Sequence, residues 1–224
     1  MHMQKTFTHK NAVFEDVPSV TEPNGMRFYQ TPNGNKYPSV TTVTGWEKNQ
    51  FFKEWRKKNP KESKRVLRRG NDLHDLIERY INNEDINLLS ENPVVSTLFV
   101  QMKETLDKID NIHALEVPLW SDTLKLAGRV DCVAEYNGNL SVIDFKGSTR
   151  QKHLSGIKNY MLQGTAYSIM WHERTGTPVR EFHIMVSSEN GMPCKVFSGN
   201  PINYVPQLYE AIQKYNNQNN YIIT

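Results

Sequence analysis

The sequence predicts an α/β fold: a mixed central β-sheet with helices on both sides, preceded by an added N-terminal segment of helical and β pieces. Three observations lead there. Between Leu115 and Lys146 the apolar spacing changes from helical to β-rich, and Asn137-Gly138 separates two of the runs as a hairpin signal. Helical patterns lie on both sides of this stretch, so the order is helices, three strands, a helix, further strands and a last helix. With 224 residues and 38% hydrophobic content, the chain can bury a core without cross-links.

The elements follow in order. Residues 27–44 read as a strand, a turn at Pro32-Asn33-Gly34-Asn35 and a second extended piece, Pro38–Thr44. A helix is expected from Trp46 to Lys58, stopped by Pro60, and another from Lys61 to Asn82 with a break at Gly70. The second half of the latter carries Leu73, Leu76, Ile77, Tyr80 and Ile81 at helical spacing. Pro93 suits the first turn of a helix reaching Asp110. Strands are read over Leu115–Trp120, Ala127–Tyr136 and Leu140–Lys146, then a helix over Leu154–Glu173 ended by Gly176. Val179–Ser187 and Cys194–Phe197 form a second hairpin around Asn190-Gly191, and a last helix runs from Tyr204 to Asn216. The expected organisation is one domain over 1–224: an N-terminal extension at 1–60, a core at 61–200 and a C-terminal helix at 201–224.

Several classes are excluded. The two cysteines, Cys132 and Cys194, cannot supply a four-cysteine zinc or iron–sulfur site or a disulfide framework, which points to a reducing, cytoplasmic home. No apolar run approaches the roughly 18 residues of a membrane span. The start, Met1 to Phe7, lacks a signal-peptide core and the Arg-rich character of a transit peptide, so no targeting signal and no membrane association are expected. Phosphate-loop, Gly-x-Ser-x-Gly and His-Glu-x-x-His motifs are all missing from the sequence.

Charge is segregated. The net charge is +3, yet residues 47–69 hold ten Lys/Arg against three Glu. The remainder of the chain is therefore net acidic. Lys57, Lys58, Lys64, Arg65, Arg68 and Arg69 are the densest part of this stripe, which suits a polyanion or simply a solvated helix face. Phe51, Phe52 and Trp55 interleave with it and either stack on unpaired bases or form the buried side of the same helix.

The sharpest inference comes from the hairpin. A two-residue turn at Asn137-Gly138 pairs Tyr136 with Asn139, and counting back along both strands brings Asp131 opposite Asp144. Directly opposed side chains sit about 4.5–5.5 Å apart at Cβ, where two like charges repel. Lys146 projects from the same face as Asp144, and Val133 and Val142 share it. A three-residue loop would instead put the two Asp on opposite faces. Two converging carboxylates and an ammonium suit a divalent cation and a phosphate, with oxygen ligands favouring Mg²⁺ or Mn²⁺ over zinc. An acidic-x-Lys triplet alone is uninformative, since Glu62-Ser-Lys64 is another, and a plain Asp144–Lys146 salt bridge would leave Asp131 unexplained.

These residues carry a resemblance. Gly128-Arg-Val-Asp131 followed by Val142-Ile-Asp144-Phe-Lys146 resembles the PD-(D/E)XK nuclease superfamily, in particular its RecB-type branch. Gly70-Asn-Asp-Leu-His74-Asp-Leu-Ile-Glu78 is similar to the helix that brings a histidine to the metal in that branch. Glu116 lies on the strand before the hairpin, where a further acid is common, and Gln163-Gly-Thr-Ala-Tyr167 resembles the Gln-x-x-x-Tyr helix that follows it. Pro38–Thr44 is similar to a segment near the start of the mitochondrial genome maintenance exonucleases and their phage and bacterial relatives. The sequence departs from the pattern where Gly147-Ser148 follows the lysine in place of the usual Thr, and where Val130 rather than Pro precedes the first Asp.

The resemblance implies a restriction-endonuclease-like core and a Mg²⁺-dependent deoxyribonuclease, a single-strand or flap exonuclease of DNA replication, repair or recombination. It implies catalysis by Asp131, Asp144, Lys146 and Glu116, with one or two Mg²⁺ or Mn²⁺ ions held by His74, Glu116, Asp131, Asp144 and the Phe145 carbonyl, and no iron–sulfur cluster. DNA contacts are expected from the basic stripe and from Gln163, Tyr167, Ser39 and Thr41. For His74, Glu116, Gln163, Tyr167, Ser39 and Thr41, ordinary packing or a strand edge remains the alternative. The implied partner is DNA, single-stranded or flapped, and the protein is expected to be a monomer of bacterial or phage origin. Rival readings are an endonuclease on the same fold and a non-catalytic DNA-binding recombination accessory.

Overall fold

A computed structural model describes residues 5–10 and 14–219; residues 1–4, which entered the leader expectation, lie outside that range. Strands β1 (Ser19–Thr21), β2 (Arg27–Gln30) and β3 (Lys36–Pro38) form a small antiparallel sheet. The chain then departs from the expected extended piece over Pro38–Thr44. Val40–Thr44 is a short helix, α1, whose start is capped by the Ser39 side chain accepting the Thr42 amide at 3.0 Å. Its β-branched residues favour a strand by propensity, but the cap and the burial of Val40, Thr42 and Val43 override that preference.

Helices α2 (Trp46–Lys58) and α3 (Pro60–Ile81) follow with only Asn59 between them, Pro60 occupying the first helical position of α3. α3 runs through Gly70 without a break. A glycine costs roughly 1 kcal/mol against alanine inside a helix, which the burial of Leu73, Leu76, Ile77, Tyr80 and Ile81 on one face outweighs. Helix α4 (Pro93–Leu106) is capped by Asn92, whose side chain accepts the Val94 amide. It ends short of the expected Asp110, because Ile109 already opens the first strand of the main sheet.

That sheet holds β4 (Ile109–Ser121), β5 (Leu126–Tyr136), β6 (Asn139–Ser148), β7 (Glu181–Ser188) and β8 (Lys195–Gly199), side by side in chain order. All neighbours are antiparallel except β6 and β7, which run parallel because helix α5 (Lys158–Thr175) crosses over between them. The sheet is therefore mixed, as expected. Helix α6 (Val205–Asn219) closes the described chain. α5 starts later than read because residues 154–156 form a separate 3₁₀ turn, and it ends on Gly176 at φ +71.

Both faces of the sheet are covered. Leu73, Leu76, Leu98, Phe99 and Met102 of α3 and α4 pack with Cys132, Ile143 and Phe145 on one side. Met161, Ala166, Met170, Leu208 and Ile212 of α5 and α6 pack with Val130, Val133, Val142 and Ile184 on the other. No described helix is long and apolar enough to cross a membrane.

Candidate active site

The site forms where three neighbouring strands lose their regular pairing. Asn137 and Gly138 take φ +50 and +85, the left-handed pair a two-residue type I′ turn requires, and Tyr136 pairs with Asn139. The β5–β6 ladder ends at Cys132 and Ile143, so Asp131 and Asp144 come next, in the expected register. On the other side of β5, Leu115 pairs with Cys132 and Val117 with Val130, which brings Glu116 to the level of Asp131. Glu116 itself has φ +50, a conformation that non-glycine residues rarely adopt, and the Arg129 guanidinium donates to its carbonyl. Glu116, Asp131 and Asp144 thus form a row across β4, β5 and β6.

Helix α3 closes the row from above. His74 Nδ1 lies 3.5 Å from Glu116 Oε1 and 3.7 Å from Asp131 Oδ2, and one ligand atom from each of His74, Glu116 and Asp131 lies within 4.8 Å of the others. Burial disfavours the His74 charge, but the Asp131 and Glu116 carboxylates lift the imidazole to about 9. A cation is therefore favoured at this spot, and the carboxylate-rich donor set with one imidazole suits Mg²⁺ or Mn²⁺. Asp131 is held by its neighbour strand, Oδ2 accepting the Phe145 amide at 2.8 Å.

Asp144 is buried, and Lys146 Nζ donates to its Oδ1 at 2.6 Å while sitting 3.9 Å from Asp131 Oδ2. Asp144 Oδ2 is buried without a hydrogen-bond partner among the described residues. Burial pushes this carboxyl up to about 6, with Lys146 pulling the other way and Asp131 adding to the rise. Lys146 keeps its proton firmly: burial opposes the charge, but Asp144 and Asp131 outweigh it. The group whose ligand atoms converge is His74, Glu116 and Asp131; Asp144 is not part of it, and its unpaired buried oxygen is a further candidate donor.

Other predicted residues lie elsewhere. Ser39 is buried as the cap of α1, its hydroxyl bonded to Thr42, while Thr41 is exposed. Gln163 and Tyr167 are buried in α5, and a Cβ added at Gly128 would meet the Tyr167 hydroxyl at 2.6 Å. Tyr167 is pushed well above the usual phenol range by burial and by the nearby Asp131. Arg69 is buried as well, bonded to Glu189, to Thr149 Oγ1 and to the Gly147 carbonyl. Lys57, Lys58, Lys64, Arg65 and Arg68 remain on the exposed faces of α2 and α3.

α2 buries none of its residues, so Phe51, Phe52 and Trp55 are not the hidden side of a helix. Phe52 is 43% exposed and Trp55 37%. With Arg56, Leu67, Arg150, Lys152 and Tyr160 they line a groove of about 620 Å³ that also touches Gly147, the residue after Lys146. Lys146 Nζ lies 5.5 Å from the centre of the Tyr160 ring. Sequence reading missed Tyr160, Arg150 and Lys152, because nothing in their spacing ties them to a lysine on another element.

The structure thus sets a row of acids beside a lysine on a mixed sheet. The family model of the PD-(D/E)XK nuclease superfamily matches residues 94–190, which contain both Asp and the lysine, and supports a nuclease of that superfamily. Among curated proteins, the chain is similar to mitochondrial genome maintenance exonuclease 1 of Mus musculus, 29% identical over 134 residues, covering 54% of this chain and 39% of the relative. The Homo sapiens protein of the same name is 28% identical over 163 residues, covering 66% of this chain and 47% of the relative. The chain thus spans less than half the length of either. A solved structure of a Eubacterium rectale protein described as a candidate exonuclease shares the fold, with a TM-score of 0.50 and 11% identity over 66% of this chain and 64% of the other.

Proposed function

We propose that the protein is a metal-dependent deoxyribonuclease that hydrolyses phosphodiester bonds at single-stranded or flapped DNA ends. The observation that carries the reading is the row Glu116, Asp131 and Asp144, closed by His74 and Lys146, at the end of an aromatic and cationic groove. The two exonuclease relatives support the choice of end-directed action.

His74, Glu116, Asp131 and Asp144, with the Phe145 carbonyl, would hold Mg²⁺ or Mn²⁺, which supplies Lewis acidity at the phosphate and lowers the pKa of water. To act as a ligand His74 must give up its proton. Lys146 stays charged and sets a point cation beside the scissile phosphate, where negative charge grows in the transition state. Asp144, at about 6, is largely ionised near neutrality, and its contact keeps the ammonium aimed into the site. Phe52, Trp55 and Tyr160 offer rings on which unpaired bases stack, a surface that base-paired DNA cannot use.

The test is cleavage of end-labelled linear and circular single-stranded DNA with Mg²⁺, with Mn²⁺ and with EDTA. Degradation of the linear form alone, and only with metal, is expected. Rapid nicking of circles would replace the exonuclease by an endonuclease on the same fold. Binding without cleavage under every metal would leave a DNA-binding accessory.

A further inference from the structure

The first half of α3 stands clear of the core, burying only Arg69 among residues 60–70. Its two sides differ in chemistry. Lys61, Lys64, Arg65 and Arg68, spaced i, i+3, i+4 and i+7, share one face. Ser63, Val66 and Leu67 share the opposite one and line the aromatic groove with Phe52, Trp55 and Tyr160. The cationic face lines a second groove of about 390 Å³, with Asn92 and Val94 at the start of α4 on its far side.

This second groove has no aromatic lining. Lys61 and Lys64 have no carboxylate partner among the described residues. Arg68 is 84% exposed in its side chain and its 3.5 Å contact with Asp72 lies at the surface, so little holds it there. Arg65, by contrast, is fixed by Glu62 and Glu189. Cations without rings contact phosphates and do not read bases. A duplex exposes its phosphates and hides its base faces, whereas a single strand exposes both. The two sides of α3 therefore suit two different forms of DNA.

We propose that the groove between α3 and α4 holds the backbone of the duplex adjoining the strand that is cut, so that α3 stands between the paired and unpaired parts of a forked substrate. This rests on the nuclease reading above and adds the surface that would hold the duplex side of a flapped substrate. Lys61 and Lys64 have no carboxylate partner among the described residues, and Arg68 is held only by its surface contact with Asp72, which also lines the groove, so all three can turn to phosphate.

The experiment measures fluorescence anisotropy in EDTA, which prevents metal-dependent cleavage, with a single-stranded oligonucleotide and a forked duplex carrying the same single strand as its arm. Wild type binds the fork more tightly. The triple variant K61A/K64A/R68A loses that advantage, its salt slope on the fork falling by up to about 2.7, while single-strand affinity stays within about twofold. The F52A/W55A variant, on the other groove, weakens both ligands. Equal loss on both DNAs in the triple variant would overturn the proposal in favour of one continuous single-strand track. An unchanged triple variant, or a wild type without preference for the fork, would overturn it too. A wild type that binds neither DNA and, with Mg²⁺ or Mn²⁺ restored, cleaves neither would bring down the nuclease reading and the junction with it.

Discussion

Asp131 of β5 accepts the Phe145 amide of β6 at 2.8 Å, so the acid that faces His74 and Glu116 also takes the place of a ladder hydrogen bond. An amide side chain can still accept that N–H. Asp131→Asn should therefore keep the fold within about 1 kcal/mol while removing the charge. Cleavage is expected to fall by about 10²–10³-fold or more, with DNA binding retained or tightened as phosphate repulsion is relieved. Asp144→Asn should lose cleavage similarly but also melt earlier, because its amide oxygen can still accept from Lys146 while the buried ammonium loses the opposite charge 2.6 Å away. Melting curves and single-turnover cleavage of both variants check this.

Metal binding should stabilise the fold. His74, Glu116 and Asp131 converge with their ligand atoms within 4.8 Å, and a ligand that binds only the folded state adds about 2.7 kcal/mol at a hundred times its Kd. Mn²⁺ or Mg²⁺ at millimolar concentration is expected to raise Tm in wild type, with a much smaller rise in His74→Ala. Equal shifts in both proteins would remove His74 from the ligand set.

Acid should loosen α3 from the sheet. Burial works against the Glu189 charge, but hydrogen bonds from Arg69 and Arg65 outweigh it and hold the carboxyl below its usual range. A lowered folded pKa gives stability that is present above the unfolded carboxylate value, near 4.3, and is lost as pH falls through the folded one. Wild type should thus melt higher than Glu189→Gln at pH 7, with the gap closing in melts taken at about pH 3.

Packing of α5 against β7 tolerates no side chain at one point. A Cβ at Gly164 would come within 2.6 Å of Phe182 Cγ, a fully buried ring. Gly164→Ala is expected to cost about 1–3 kcal/mol, read as a lower denaturation midpoint with the site residues untouched.

The hairpin shows how much of the site was legible in the sequence. Asn137-Gly138 fixed a two-residue turn, and the turn alone determines that Asp131 and Asp144 are neighbours. The presence of His74 beside Asp131 came only through a resemblance, because no local rule connects a helix residue to a strand far along the chain. One misreading and one alternative left open by the sequence share a cause. Val40–Thr44 has strand propensity and became a helix, and Phe52 and Trp55 have core character and stayed exposed. In each case long-range packing, or its lack, decided what composition could not. Arg69 adds a third lesson: inside a run of cations it is the one turned inward, and charge counting cannot distinguish it from Arg68.

β6 is the middle strand of five, with β5 and β7 bonded along its two edges, and it bears both Asp144 and Lys146. Its amides belong to the part of the molecule that opens last, whereas α2, with no buried residue, belongs to the part that opens first. Hydrogen exchange would then separate two regimes: rapid exchange over 46–58, and protection near the global limit over 141–146. The protein would be able to loosen α2 without disturbing Asp144 and Lys146.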